Sequence, residues 1–264
     1  MIVRERVVVG GVGLEVEWIE PSGAARSPVV VFLHEGLGSI SAWRDFPARV
    51  AAAAGLRAMV YSRAGYGGSD TTSLPRPLDY MQREAIDVLP KLLDELGIGD
   101  AFLFGHSDGA SIALVYASTD HGRTRARGLV LEAPHVFCEE KAVRAIAITR
   151  DELLHRRLRD RLARHHGPNT DVAFWGWNDA WLDPGFRAWS IEGFLPRVTC
   201  PVLVIQSDDD PYGTLLQVDA IESGCTGPVT RHILEQCGHA PHRDHADEVL
   251  ALTVAFTRAR AGQG

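Results

Sequence analysis

The stretch "AFLFGHSDGASIALVYA", residues 101–117, is the part of the sequence that indicates the fold most directly. An apolar run leads into "GHSDG" at 105–109, and a second apolar stretch with a helical period follows. This order is typical of a buried strand that turns sharply into a helix, with glycines that let the chain turn and a serine at the tip. Ser107 is therefore a candidate nucleophile; the alternative is a structural serine in a glycine-lined turn.

The rest of the chain alternates strand and helix patterns in the same way. Short, nearly continuous apolar runs predict strands buried on both faces, and the polar alternation near the N-terminus predicts a hairpin at the sheet edge. The strands are predicted at 3–9, 13–19, 28–34, 56–62, 101–105, 128–134, 201–206 and 229–235. Helices are predicted at 43–54, at 80–96 with a kink at Pro90, and at 108–118, 214–222 and 244–260. The pattern indicates an α/β fold with a doubly wound, mostly parallel sheet of eight strands.

Residues 135–195 interrupt this alternation. They are rich first in charged helix formers and then in tryptophan, and no strand pattern appears in them. We expect a helical lid inserted into a core domain that comprises 1–134 and 196–264. Trp175, Trp177 and Trp181 either line an apolar substrate pocket or pack the lid onto the sheet, and the sequence leaves both interpretations open.

Composition argues against several classes of protein. A net charge of -7 without a basic run disfavours nucleic acid as a partner. The N-terminus lacks the apolar core of a signal peptide and no run approaches 18 apolar residues, so no membrane association and a cytoplasmic location are expected. The four cysteines are scattered as free thiols would be, and Cys237, close to His239, is only a minor candidate for the nucleophile.

A serine nucleophile needs a base and an acid that orients the base. His239 follows the last predicted strand and a glycine, whereas His242 and His245 lie further along and are expected in solvent. The acid is expected among residues 208–210, three aspartates after the strand 201–206, with the other two facing solvent. Neither the aspartates nor the histidine run has the spacing of a known metal motif, so no metal is expected.

Acyl transfer also needs backbone N–H groups that bind the developing oxyanion. One is expected from Asp108, directly after the nucleophile. The other is expected from Gly36 or Leu37, in the loop after the strand 28–34. A merely flexible turn between strand and helix is the alternative for this loop.

Three motifs in this order resemble those of the α/β-hydrolase superfamily across nearly the whole chain. They are the His34-Glu35-Gly36 loop, the elbow around Ser107, and Gly238-His239. The family's acid typically stands three residues after a glycine, a place that Ser207 takes here, so the resemblance selects Asp210. It implies a serine hydrolase without a cofactor, and Ser107 in place of aspartate argues against dehalogenase chemistry.

Glu35 departs from the family pattern because it replaces the usual glycine. An inward carboxylate would oppose a developing negative charge, so we expect Glu35 to turn away and pair with a cation such as Arg63. Glu35, Arg63, Tyr66 and His106 are further candidates for contact with substrate, although a loop stabilised by its own packing is the favoured interpretation for Arg63 and Tyr66.

The predicted function is hydrolysis of an ester or similar acyl compound by Ser107, His239 and Asp210. The expected partner is a small-molecule substrate with an apolar acyl or aromatic part, and a homodimer stays open. Hydrolysis of a carbon–carbon bond in a ring-cleavage product and a non-catalytic ligand-binding role on the same fold are the alternatives.

Overall fold

The computed structural model of the protein describes residues 1–154 and 157–261. Its strands are β1 (Ile2–Val9), β2 (Val12–Ile19), β3 (Ala25–Leu33), β4 (Leu56–Ser62), β5 (Ala101–His106), β6 (Ala126–Glu132), β7 (Val202–Ser207) and β8 (Val229–Leu234). They form one sheet in the order β1-β2-β4-β3-β5-β6-β7-β8. The β1–β2 and β2–β4 pairs are antiparallel and all other pairs are parallel. The predicted eight-stranded, mostly parallel sheet is confirmed.

The described α-helices lie between and after these strands. They are α1 (Phe46–Ala54), α2 (Tyr80–Arg83), α3 (Leu89–Glu95), α4 (Asp108–Ser118), α5 (Asp120–Arg125), α6 (Glu140–Leu154), α7 (Arg157–His166), α8 (Thr170–Leu182), α9 (Leu215–Gly224), α10 (Pro241–Asp244) and α11 (Ala246–Ala261). Short 3-10 helices span Ile40–Trp43, Gly167–Asn169, Pro184–Ala188 and Glu192–Arg197. None of these helices is both long and apolar enough to cross a bilayer.

Several boundaries differ from the sequence-based expectation. The kink predicted at Pro90 is a π-helical turn, Glu84–Val88, between α2 and α3; proline lacks the N–H that would continue the regular ladder. The predicted helix 43–54 begins only at Phe46, after a 3-10 turn. The short helix α10 was not predicted, because four residues are too few to show a period.

The centre of the sheet is buried on both faces, which explains why its strands are continuously apolar. Every residue of β5 and of α4 is buried. Phe102 and Phe104 pack on one face with the α1 and α11 side, while Leu103 belongs to the core on the other face. Each such side chain stabilises the fold by roughly 1.5–3 kcal/mol. This core holds the carboxyl end of β5 rigidly, where Ser107 lies.

Helices α6, α7 and α8 connect β6 to β7, and we call residues 135–195 the helical segment. Within its described residues the β-type pairing is a single bridge between Phe137 and Ser190. Trp181 packs against Phe186, with ring centroids 4.6 Å apart, and Phe186 stacks on Trp189 at 5.2 Å. The aromatic residues of this segment therefore pack on one another and continue the hydrophobic core on that face of the sheet.

Candidate active site

The backbone at Ser107 is held in an uncommon conformation between β5 and α4. Its φ is 53° and its ψ is −117°, a combination that non-glycine residues rarely adopt and that persists only where surrounding contacts impose it. A Cβ on Gly105 would lie 2.4 Å from the Gly109 carbonyl oxygen, and one on Gly109 would lie 1.9 Å from the Leu33 carbonyl oxygen. Both flanking positions therefore require glycine, because backbone atoms occupy the space of a side chain.

Ser107 faces a cavity of about 170 Å³ at the carboxyl end of the sheet. Its hydroxyl forms no hydrogen bond to any residue that the structure describes, so it is available to a ligand. The polar lining residues are Glu35, His106, Ser107, His135, His239 and Arg243. The apolar lining comes from Ala142, Ile146, Trp177, Trp181 and Tyr212, together with Gly36, Leu37 and Ala240.

His239 is held by Asp210. Its Nδ1 lies 2.9 Å from Oδ1 and 2.8 Å from Oδ2 of that carboxylate. Asp210 is fully buried and also accepts hydrogen bonds from the Tyr212 N–H and from Gln206 Nε2, each at 2.8 Å. Burial alone would raise the pKa of Asp210, but His239 and these donors outweigh it and lower the pKa to about 2. Asp210 is therefore the ionised partner of His239.

The neighbouring aspartates do not reach His239. Asp208 and Asp209 are exposed, as expected. Asp209 also accepts hydrogen bonds from the backbone N–H groups of Cys237 and Gly238, at 3.1 and 2.9 Å. It therefore ties the loop that carries His239 to the end of β7.

Of the predicted oxyanion donors, Gly36 and Leu37 line the same cavity, whereas Asp108 directly follows the lining residue Ser107 without lining it. Among the described residues, the backbone N–H groups of Gly36 and Leu37 have no acceptor, and neither does that of Asp108 in the first turn of α4. A Cβ on Gly36 would lie 2.1 Å from Trp177 Nε1, so a tryptophan of the helical segment packs directly onto this loop. These three amides are therefore without an acceptor in the described part of the chain.

Arg63 and two histidines hold the loop 34–38. Arg63 Nη1 donates to the His34 carbonyl at 2.8 Å, and its Nη2 donates to the Glu35 carbonyl at 3.0 Å. The His34 ring accepts from the Arg63 N–H, and His166 Nε2 donates to the Leu37 carbonyl at 2.9 Å. Arg63 thus supports the loop from behind and does not line the cavity.

The Asp108 side chain turns away from the cavity. It is fully buried, and its Oδ2 accepts from the Tyr80 hydroxyl at 2.5 Å and lies 3.8 Å from Arg63 Nη2. Trp181 Nε1 donates to the same hydroxyl at 3.0 Å. Burial raises the pKa of Asp108 against the opposing effects of Arg63 and Tyr80. The Asp108 carboxylate is therefore held by Tyr80 and Arg63 on the side away from the cavity.

The expected pairing of Glu35 with Arg63 is wrong. The Glu35 carboxylate lies 3.7 Å from His106 Nδ1 and 3.9 Å from the Arg243 guanidinium. Burial would raise the pKa of Glu35, but His106 and Arg243 outweigh it and keep the pKa well below its usual value. The sequence missed this arrangement because Arg243 and His106 are distant from Glu35 along the chain.

Two further expectations about substrate contact are not met. Trp177 and Trp181 line the cavity, but Trp175 packs beside Phe174 and under the Arg150 guanidinium, outside the lining. Tyr66 is likewise outside it: the ring is fully buried, and its hydroxyl accepts from Arg76 at 2.7 Å. A helical period points tryptophans 175 and 177 in different directions, which explains the split.

His135 and His242 are buried beside the site although neither was expected there. His135 lines the cavity with its ring centroid 5.9 Å from that of His239, and burial lowers its pKa to about 4. His242, expected in solvent, is buried with Nδ1 at 2.7 Å from Glu132 Oε2. Pro241 begins α10 and turns His242 inward. His135 directly follows the predicted strand 128–134, a signal that could have identified it.

Cys237 and a buried group of possible metal ligands are less suited to chemistry than Ser107 and His239. Cys237 is buried outside the cavity lining, and burial raises the pKa of its thiol to about 12, so the thiolate is scarce at neutral pH. Among the described residues one group, His106, Glu132 and His242, brings possible metal ligands within 4.8 Å of one another. Two of its ring nitrogens are already hydrogen-bonded within the protein, to Glu132 and to the His239 carbonyl.

Comparison with known proteins agrees with this architecture. A family model described as "Alpha/beta hydrolase family" matches residues 30–252. This range includes part of β3, all of strands β4 to β8 and every residue that lines the cavity. The chain belongs to the α/β hydrolase family.

The individual relatives are distant. The chain is 26% identical over 199 residues to the lysophosphatidylserine lipase ABHD12 of Danio rerio, a match that covers 74% of this chain and 47% of that protein. It is 24% identical over 206 residues to the serine hydrolase BPHL of Homo sapiens, covering 73% and 66%. The chain thus spans about half to two thirds of these relatives. A proline iminopeptidase structure from Mycobacterium smegmatis superposes with a TM-score of 0.74 at 19% identity, covering 98% and 99%, and shares the fold.

Proposed function

We propose that the protein is a serine hydrolase that cleaves an ester or similar acyl compound. The observation that carries the proposal is the shared cavity: Ser107, at the strained tip of the elbow, and His239, held by the buried Asp210, line the same space. The kinship with a lysophosphatidylserine lipase and a serine hydrolase supports the same class of reaction.

The contact with Asp210 supports the role of His239 as the base. An ionised carboxylate only accepts hydrogen bonds, so Nδ1 carries a proton, and in the neutral ring Nε2 keeps a lone pair. Nε2 takes the Ser107 proton as Oγ attacks the acyl carbon, and returns it to the leaving alcohol when the acyl-enzyme forms. Water then attacks the acyl-enzyme with the same base, releasing the acid and restoring Ser107.

The oxyanion formed in each attack is bound by backbone N–H groups. We assign these to Asp108 and to Gly36 or Leu37, whose amides have no other acceptor in the described part of the chain. The Asp108 carboxylate, held by Tyr80, stays away from the developing charge.

The shape of the cavity supports a small substrate with an apolar acyl or aromatic part. Its volume is about 170 Å³, and the apolar lining comes largely from α6 and α8. We therefore propose that residues 135–195 act as a lid on a core of 1–134 and 196–264. Ala142 and Ile146 of α6, with Trp177 and Trp181 of α8, would select the acyl group.

The nucleophile is tested with Ser107→Ala. We expect it to abolish hydrolysis of short p-nitrophenyl esters and covalent labelling by a fluorophosphonate. Ser118→Ala is the matched control: it lies in the same helix and removes a buried hydroxyl whose hydrogen bond, among the described residues, goes to the Val115 carbonyl. Labelling that persists in Ser107→Ala would refute the proposal. Turnover of a vinylogous diketone with none of esters would favour carbon–carbon bond hydrolysis instead.

A further inference from the structure

His106, the last residue of β5, links the two loops that border the nucleophile. It is buried beside Ser107, and its Nε2 lies 2.6 Å from the backbone carbonyl oxygen of His239. On its other side, Nδ1 faces the Glu35 carboxylate at 3.7 Å. The ring therefore stands between the loop 34–38 and the loop that carries the base.

The two partners together determine where the protons of this ring lie. A carbonyl oxygen can only accept, so Nε2 must carry a proton. In the neutral ring this would leave Nδ1 as a lone pair that is buried, has no hydrogen-bond partner among the described residues and is directed toward a carboxylate. A second proton on Nδ1 replaces that repulsion with an attraction between opposite charges.

The charges around the ring come from several elements. The acidic groups are Glu35 of the loop after β3 and Glu132 of β6. In the part of the chain that the structure describes, the buried Oε1 of Glu132 has no hydrogen-bond partner. The basic groups nearby are His135, His239, His242 and Arg243. Burial by itself would lower the pKa of His106, but Glu35 and Glu132 outweigh it and raise the pKa.

We propose that His106 is an imidazolium paired with Glu35, and that this pair positions the His239 loop and neutralises the carboxylate beside the oxyanion amides. The inference rests on the proposed hydrolase function for its catalytic consequence, but not for the charge state of the pair. The pair explains why this chain tolerates Glu35 where a glycine is usual. The positive charge of His106, 3.7 Å from the carboxylate, offsets the repulsion between Glu35 and the oxyanion.

The charge state is tested by NMR on histidine-labelled protein, which requires no turnover. His106→Gln assigns the resonance among the eleven histidines. In the wild type we expect both ring nitrogens of His106 to be protonated at neutral pH, and we expect Glu35→Gln to move its titration to lower pH. Glu20→Gln, which removes a surface ion pair with Arg57, is the matched control and should leave the titration unchanged.

A neutral His106 ring in the wild type at neutral pH would overturn the proposal, and so would an unchanged titration in Glu35→Gln. These outcomes hold whether or not the protein hydrolyses esters, whereas failure of the hydrolase proposal would appear as labelling that does not depend on Ser107.

The positioning role is tested by the rate of fluorophosphonate labelling. His106→Gln retains a donor for the His239 carbonyl but carries no charge, so it separates the charge from the hydrogen bond. We expect Glu35→Gln and His106→Gln each to slow labelling by about ten- to a hundredfold. The double variant should be no slower than His106→Gln alone, because both changes remove one interaction. If the two losses multiplied in the double variant, the positioning role would be overturned. It would also be overturned if activity declined at the same alkaline pH in Glu35→Gln and the wild type, because His106 should lose its charge at a lower pH in the variant.

Discussion

Replacing Asp210 by asparagine tests the geometry on which the proposed hydrolase depends. Every group that contacts this carboxylate is a donor: His239 Nδ1, the Tyr212 N–H and Gln206 Nε2. An asparagine presents an NH₂ group that must face one of them. The Tyr212 N–H cannot reverse, so the asparagine oxygen takes the place of Oδ1 and the NH₂ group takes the place of Oδ2, which contacts both Gln206 Nε2 and His239 Nδ1. The Gln206 side chain can flip to accept one proton of the NH₂ group, since its Oε1 has no partner among the described residues. The second proton then faces Nδ1 of His239, which moves its own proton from Nδ1 to Nε2.

The loss of rate follows from this change of tautomer. With Nε2 protonated, His239 cannot accept the Ser107 proton. A triad histidine in the wrong tautomer lowers kcat by about 10⁴-fold, which is about 5 kcal/mol at about 1.36 kcal/mol per tenfold. KM should change little, because Asp210 lies behind His239 and is absent from the cavity lining.

The same variant should lose stability in a pH-dependent way. The pKa of Asp210 falls from 3.8 to about 2 in the folded protein. A depressed carboxyl pKa stabilises the fold above the unfolded value, and this contribution is lost as the pH falls through the folded value. The shift corresponds to about 2 kcal/mol. The difference in unfolding free energy between wild type and Asp210→Asn should therefore be present above about pH 4 and vanish toward pH 2.

The assay compares p-nitrophenyl ester kinetics and urea unfolding for the wild type, Asp210→Asn and Asp209→Asn. Asp209 is a matched control because its bonds to Ser207, Cys237 and Gly238 all use Oδ1, which asparagine retains. Its kcat should stay within about threefold of wild type, since ordinary surface changes cost under about 0.5 kcal/mol. If Asp210→Asn kept more than a tenth of the wild-type kcat while Ser107→Ala had none, another residue would have to orient His239.

Three further predictions concern the elbow, the cavity and acid stability. Gly109→Ala should prevent folding or lower the melting temperature sharply, because its Cβ would meet a backbone oxygen at 1.9 Å, whereas Gly99→Ala, with no atom within 4 Å, should melt like wild type. Trp177→Ala should shift the preferred acyl chain toward longer esters in a chain-length series, while Trp175→Ala, outside the lining, should leave the preference unchanged. His135→Asn should reduce the loss of stability on acidification: a buried histidine with its pKa lowered to about 4 destabilises the fold as the pH falls below its unfolded value. The free energy of unfolding should fall between pH 7 and pH 5 by about 2 kcal/mol less in His135→Asn than in the wild type. An equal fall in both proteins would contradict this.

The strands of the sheet and the elbow around Ser107 could be predicted from the amino-acid sequence alone. Continuous apolar runs require strands buried on both faces, and that burial in turn requires helices on both sides of a parallel sheet. The glycines around Ser107 identified the turn because they lie within five residues of one another. Gly105 leaves room for the Gly109 carbonyl of the same turn, whereas Gly109 leaves room for the Leu33 carbonyl of the neighbouring strand β3.

Which polar side chains meet at the site could be established only from the packing of the strands and helices. Glu35 approaches His106 and Arg243, rather than Arg63, because the carboxyl ends of three separate strands converge there. His135 became part of the cavity for the same reason. Local patterns record periodicity and turns over a few residues, whereas charge pairing between residues 71 or more positions apart depends on how those elements pack. The direction of each charged side chain was therefore beyond the reach of the sequence, even where its strand was not.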